Sequence, residues 1–282
     1  MKEFIPTRNL VNDKSWTENV LNYVLSRQNA DGGYTFVEEN DSNAQDTYYG
    51  LIILKLLNSP FPNVDRTVKW MREFRLGSIY SYYYIGKALS LCGENVDRNF
   101  QKYVLSTIAS KRHFGSVDVY FEVASEFRVT HMVLELANLV DVDPMAKDVV
   151  DWLLKLKNAD GGFGAHEHSN INSTYYATAS LSLLNFDMKS LRDTVTFLRK
   201  CENPHGSFTV VPHSYAAYME HTYYGVMALD ALQENCRFPS QTVDFVLRCQ
   251  NANGGFARAD LGISTFENTF HAVSIMQKLT ST

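Results

Sequence analysis

One pattern is written three times in this chain, and it constrains the fold more than any other feature. Gln28-Asn29-Ala30-Asp31-Gly32-Gly33-Tyr34 leads to Asp46-Thr47-Tyr48-Tyr49-Gly50. Lys157-Asn158-Ala159-Asp160-Gly161-Gly162-Phe163 leads to Thr174-Tyr175-Tyr176-Ala177, and Gln250-Asn251-Ala252-Asn253-Gly254-Gly255-Phe256 leads to Asn268-Thr269-Phe270-His271-Ala272. Fainter copies stand at Gly77-Ser78-Ile79, Gly115-Ser116-Val117 and Gly206-Ser207-Phe208. Successive glycines are roughly 40 to 50 residues apart, the spacing of helix-pair repeats.

Each repeat carries two apolar-periodic segments. Those before the glycines are amphipathic: Ser15 to Arg27 places Trp16, Val20, Tyr23 and Val24 on one face, and Pro144 to Lys157 does the same with Val149, Trp152, Leu153 and Leu156. Pro144 and Pro239 stand where helices start. The segments after the glycines are apolar nearly all round: Thr47 to Leu57, Tyr82 to Leu91, Thr130 to Val140, Thr174 to Leu184, Thr222 to Leu232 and Thr269 to Leu279. Helices of that kind are buried on every side. The expected fold is therefore all-α, an (α/α)6 barrel of six inner and six outer helices. The Gly-Gly pairs supply positive-φ turns after the outer helices, with the following aromatic packed beneath. Strand signals are confined to short runs such as Phe208-Thr209-Val210-Val211 inside connections.

By size alone 282 residues could make two domains, but a closed repeat array makes one, spanning 1–282. The net charge of −5, without a Lys/Arg cluster, argues against a nucleic-acid partner. Cys92, Cys201, Cys236 and Cys249 show no Cys-x-x-Cys pairing, which fits reduced thiols. Met1 to Pro6 lacks a signal-peptide apolar region, and no stretch is long enough to span a bilayer, so a cytoplasmic location is expected.

On these Gly-Gly-aromatic repeats, each followed by a Thr-led inner helix, the sequence resembles the α/α-toroid superfamily of prenyltransferase β subunits and squalene-type (class II) terpene cyclases. The resemblance covers essentially the whole chain. It implies a deep aromatic-lined cavity for a hydrophobic isoprenoid, functional side chains at the start of the inner helices, and in some members a partner subunit. In that register the position two before the Thr column reads Gln45, Tyr80, Arg128, Asn172, Glu220 and Glu267. The column after it holds Tyr48, Tyr49, Tyr83, Tyr84, His131, Tyr175, Tyr176, Tyr223, Tyr224, Phe270 and His271, and His221 stands one before Thr222. These are the expected substrate-binding residues.

The resemblance departs from both families at their chemistry. Prenyltransferases hold a catalytic zinc through Asp-x-Cys and a later His; here the matching register has Tyr218, Glu220 and Glu267, without a thiolate. Gly254-Gly255-Phe256-Ala257-Arg258 keeps one base of the diphosphate-binding pattern. Cyclases begin an inner helix with Asp-x-Asp-Asp-Thr, whose middle acid protonates an alkene or epoxide. The related stretches here are Asn43-Ala44-Gln45-Asp46-Thr47, Tyr218-Met219-Glu220-His221-Thr222 and Thr265-Phe266-Glu267-Asn268-Thr269.

A carboxyl above an apolar cavity has its neutral form favoured, and aromatic faces stabilise a carbocation by roughly 0.5–2 kcal/mol per contact. The leading expectation is thus a stand-alone, atypical terpene or meroterpenoid cyclase using Glu220 or Glu267, with Asp46 as a further catalytic candidate. Helix N-terminal carboxylates are the plain structural alternative. The other functional reading is a prenyltransferase β-subunit-like toroid, either binding a prenyl group or partner without catalysis or acting as a transferase with an altered metal site. His221, Glu220, Glu267 and His271 contain zinc-ligand residue types, but adjacent residues on a helix diverge. The ligand pattern therefore does not support zinc or magnesium, and no cofactor is expected.

Overall fold

The computed structural model of the chain describes residues 15–110 and 124–280. Outer helices α1 (Ser15–Leu25), α3 (Val64–Glu73), α5 (Arg98–Ser110), α7 (Ala146–Lys155), α9 (Arg192–Cys201) and α11 (Pro239–Arg248) alternate with six inner ones. The inner helices are α2 (Ala44–Leu56), α4 (Ile79–Leu91), α6 (Ala124–Leu139), α8 (Ile171–Leu183), α10 (Met219–Ala231) and α12 (Phe266–Thr280). Each inner helix packs on the next, and α12 closes the ring against α2. The outer helices carry one apolar stripe, whereas the inner ones are buried on several faces. The barrel inferred from periodicity is the fold found. Strands amount, among the described residues, to the two-residue hairpin β1 (Glu202–Asn203) and β2 (Ser207–Phe208).

The repeated sequence pattern closes a hydrogen-bond circuit. Asp31, Asp160 and Asn253 accept the second glycine's N–H through Oδ1, at 2.9, 3.0 and 3.1 Å. The same atoms accept the hydroxyls of Ser42, Ser169 and Ser264, which in turn accept from Asn29, Asn158 and Asn251. The next residue, Tyr34, Phe163, Phe208 or Phe256, is fully buried, and its N–H donates to the hydroxyl of Thr47, Thr174, Thr222 or Thr269 at 3.0–3.2 Å. Burying an aromatic drags its amide inside, where an unpaired N–H costs about 1–3 kcal/mol. The Thr column answers that demand. It does not cap the helices: the caps are Asn43, Ser78 and Asn170, so the inner helices begin about a turn before the Thr column. Likewise α7 begins at Ala146, two residues after Pro144, because Met145 adopts a left-handed φ of 55°.

Each turn also seats the next outer helix. A Cβ on Gly161, where φ is +90°, would lie 2.2 Å from the carbonyl oxygen of Asp193 in α9, and one on Gly254 would lie 2.1 Å from that of Asn19 in α1. The last repeat thereby closes the outer ring on the first, reinforced by Gln250 Nε2 donating to the Trp16 carbonyl at 3.2 Å. The second repeat is different: Gly77 lacks a positive φ and has open space around it, so this faint copy is not a turn of the same kind. Gly115 lies outside the described residues.

Gly161→Ala is accordingly expected to lower unfolding stability by about 3 kcal/mol or more, and Gly77→Ala to change it by less than about 0.5 kcal/mol. Urea denaturation of the two variants checks the contrast.

Candidate functional site

The Thr circuit fixes the rotation of α2, α8, α10 and α12, and so decides which of their side chains reach the barrel axis. At the N-terminal ends of these helices lies a polar mouth of about 620 Å³. Gln45, Arg128, Asn172, Glu220 and Glu267 line it, as their register predicts, together with Asp46 and Arg258. Below it is a cavity of about 320 Å³. All eleven aromatic and histidine positions from Tyr48 to His271 named from register line that cavity, although no two repeats contribute them from adjacent sequence. His221 is buried beside Tyr218 and is not among the residues lining either space. Arg128, Tyr224 and His271 belong to both, so the two spaces meet.

The three candidate acids have different surroundings. Glu220 receives Arg258 Nε at 2.8 and 3.0 Å, and the guanidinium lies 3.9 Å from the centre of the Tyr218 ring. Glu267 faces Arg128 at 3.6 Å and accepts the Tyr49 hydroxyl at 3.1 Å; Arg128 also donates to the Tyr84 hydroxyl at 2.8 Å and lies over Tyr80. Each glutamate is thus held by a guanidinium from elsewhere in the chain. Asp46 has no cationic partner among the described residues. It is buried, and Oδ2 accepts both the Phe36 N–H at 3.0 Å and Asn43 Nδ2 at 2.8 Å. Burial raises its pKa above the ordinary carboxylate value, against the lowering effect of those hydrogen bonds.

The cavity wall is a mesh of rings. Tyr175 stacks on Tyr224 at 4.8 Å and Tyr223 on His271 at 4.3 Å, while Tyr49 meets Phe270 at 5.2 Å. Hydroxyls pair across helices, Tyr175 with Tyr223 at 3.3 Å and Tyr176 with Tyr224 at 3.2 Å. Burial pushes these phenols upward, and Tyr84 to about 12, so they remain neutral. Burial also lowers the His271 imidazole to about 3. The wall therefore offers uncharged π faces to whatever it encloses.

Two charged side chains at the cavity floor are absent from the sequence reading, and the pairing of Arg128 and Arg258 with glutamates from other repeats is not legible in sequence. Lys87 and Glu135 lie deeper, one turn past Tyr83 and His131, and form an ion pair at 2.6 Å. Their signal was present: each is a lone charge within the apolar part of an inner helix. Among the described residues no group of three or more His, Cys, Asp or Glu is placed to hold a metal ion, and Cys201 and Cys249, at the C-terminal ends of α9 and α11, are not among the residues lining either space.

Comparison with known proteins agrees with this architecture. The family model for the prenyltransferase alpha-alpha toroid domain matches residues 5–77 and 117–281. The farnesyltransferase β subunit of Pyricularia oryzae is 27% identical over 158 residues, 52% of this chain; the match spans only 28% of that relative. Among solved structures, protein geranylgeranyltransferase-I of Candida albicans, complexed with GGPP, superposes with a TM-score of 0.72 at 16% identity, covering 96% of this chain and 92% of that one. The type II terpene cyclase MstE from Scytonema, bound to geranylgeranyl dihydroxybenzoate, gives 0.63 at 12% identity over 95% of this chain and 97% of its own. At such identities the likeness is one of fold. No helix among the described residues is long and apolar enough to cross a membrane.

The depressed imidazole of His271 has a measurable consequence. Its folded-state pKa lies below its unfolded value of 6.5, so its contribution to stability is present above pH 6.5 and is lost as pH falls towards about 3. Replacing it with Gln is expected to flatten that part of the acid-side decline, as read from denaturation midpoints between pH 7 and roughly 3.5.

Proposed function

The chain belongs to the prenyltransferase alpha-alpha toroid family, and from that premise we propose that it cyclises a prenyl chain by protonation, with Asp46 as the proton donor. The observation carrying this reading is the placement of Asp46: a buried carboxyl at the mouth of an aromatic cavity, without a cation beside it, both of whose hydrogen-bond donors engage Oδ2. Oδ1 is left to carry a proton. Desolvation favours the protonated form, as a general acid near neutral pH needs.

In this reading the prenyl chain fills the cavity with its terminal alkene towards the mouth. Asp46 Oδ1–H transfers its proton to the less substituted alkene carbon, and the tertiary carbocation forms against the faces of Tyr224 and its neighbours. Attack by the next alkene moves the positive charge down the cavity as each ring closes. The last cation loses a neighbouring C–H proton to water, forming an alkene, and solvent at the mouth reprotonates Asp46. Neutral Tyr and His side chains suit that role, since a charged imidazole there would repel the cation. Arg128 is close to this path, but its pairing with Glu267 offsets the charge. The volume of about 320 Å³ falls at the small end of ligand cavities, so the enclosed chain is short. The reading invokes no metal or cofactor.

A second reading rests on the two arginines at the mouth. If Arg128 and Arg258 exchange their glutamates for a prenyl diphosphate, the chain is a prenyl-diphosphate-binding toroid, as a β-subunit-like protein would be.

The test is turnover of geranyl and farnesyl phenols and diphosphates, followed by mass spectrometry and product isolation. Asp46→Asn is expected to lower cyclisation by about 100-fold or more, the scale of a lost general acid, and Glu220→Gln by less than about 10-fold. Because the donor must be protonated, the wild-type rate is expected to fall as pH rises through the raised pKa of Asp46. Cyclisation by Asp46→Asn at the wild-type rate overturns the assignment, and diphosphate binding without turnover favours the second reading.

A further inference from the structure

The floor of the cavity is chemically unlike its walls. At the level one turn below the tyrosine ring, α2 offers Ile52 and α12 offers Ser274, but α6 offers Glu135. Behind it Lys87 Nζ donates to Glu135 Oε1 at 2.6 Å, and the Tyr83 hydroxyl donates to Oε2. The His131 imidazole stands 3.6 Å from the same Oε2. Neither charged side chain is fully enclosed, with 19% of Glu135 and 28% of Lys87 accessible. A purely hydrocarbon chain end pressed on Glu135 would remove its remaining water without replacing the hydrogen bonds, which is unfavourable.

We infer that Glu135, positioned by Lys87, is a recognition site for a hydroxyl group at the deep end of the ligand, which makes the substrate a prenyl chain bearing a phenol or alcohol. The inference rests on the isoprenoid reading above and adds the chemistry of the end remote from Asp46. Capacity for the contact is present. A carboxylate has about four acceptor sites, and Glu135 uses one on each oxygen; an ammonium has three donors, and Lys87 gives one to Glu135. A hydroxyl in the cavity can therefore donate to Glu135, which lines it, while Lys87 behind holds the carboxylate in place. Burial works to raise the Glu135 pKa, but His131, Lys87 and the hydrogen bonds from Lys87 and Tyr83 outweigh it and hold the group below the usual carboxylate range. Burial keeps the His131 imidazole below its ordinary value in turn. At neutral pH the floor thus offers an acceptor, Glu135. Fold stability does not explain the pair, because buried ion pairs are commonly replaced by apolar residues at little cost. The site also orients the substrate: with the hydroxyl at the floor, the far alkene points towards Asp46.

The experiment compares binding of 2-farnesylphenol and farnesylbenzene, which differ by one hydroxyl, to wild type, Glu135→Gln and Lys87→Met/Glu135→Leu by titration calorimetry. Thermal denaturation of each variant confirms folding, and Glu135→Gln keeps the shape if the double variant does not fold. Wild type is expected to prefer the phenol at least ten-fold, and the preference to fall below three-fold in each folded variant, with farnesylbenzene binding undiminished in the double variant. Equal wild-type binding of the two ligands, or a preference that survives in the variants, overturns this inference and leaves the isoprenoid reading standing. Failure of wild type to bind either ligand overturns both.

Discussion

A buried amide and a threonine hydroxyl govern this structure. When Tyr34, Phe163, Phe208 or Phe256 is driven beneath its turn, its N–H leaves water and requires an acceptor. The Thr supplied by the following inner helix is at once that acceptor and, in Thr174, Thr222 and Thr269, a donor to the carbonyl four residues back. One hydroxyl thus joins a loop to a helix and fixes the helix's rotation about its own axis. The small residue three places on, Gly50 or Gly225, leaves room for the ring: a Cβ on Gly225 would come within 2.2 Å of Phe208. The cavity is a consequence of this seating, since a helix rotated by one residue would turn its tyrosines into the neighbouring helix.

The same constraint explains why the mouth is built from ion pairs between repeats. Inner helices at one register bring the residues two before the Thr column to a common level. Arg128 from α6 then meets Glu267 from α12 across the mouth. Arg258 reaches Glu220 by another route, from the loop after Gly254-Gly255, and lies flat on Tyr218. These pairs separate the acids into two kinds. Charge attracts charge at the two glutamates, whereas Asp46 is surrounded by an amide N–H and a carboxamide, neither of which compensates for lost water as fully as a cation does.

The fold was readable because the feature that builds it is local and repeated. Glycines, aromatics and threonines at constant spacing carry their own register, and eleven cavity positions followed from it without any tertiary information. The acids were legible as positions and illegible as chemistry. Nothing near Glu267 in sequence announces Arg128, some 140 residues away, and without such partners the sequence does not separate Glu220 and Glu267 from Asp46. The polar floor was missed for a different reason. Lys87 and Glu135 are visible as isolated charges in apolar helices, but attention to the start of each inner helix passed over its second half. The faint second repeat was misjudged because Gly77-Ser78 resembles the motif in composition, whereas Ser78 is a helix cap.

Why the wall is tyrosine rather than phenylalanine follows from what its hydroxyls do. An apolar ring would serve a carbocation as well, since the stabilising quadrupole belongs to the face. The hydroxyls instead tie neighbouring helices edge to edge, Tyr175 to Tyr223 and Tyr176 to Tyr224, and anchor Glu267, Arg128 and Glu135 through Tyr49, Tyr84 and Tyr83. Raised phenol pKa values keep every one of these hydroxyls neutral. The ring of tyrosines therefore does two things with one residue type: its faces line a dry, uncharged chamber, and its edges hold the charged groups above and below at fixed heights. A phenylalanine wall would keep the chamber but leave the mouth arginine and the floor carboxylate without their inner partners, so the tyrosines are what make a two-ended polar cavity compatible with a hydrophobic barrel.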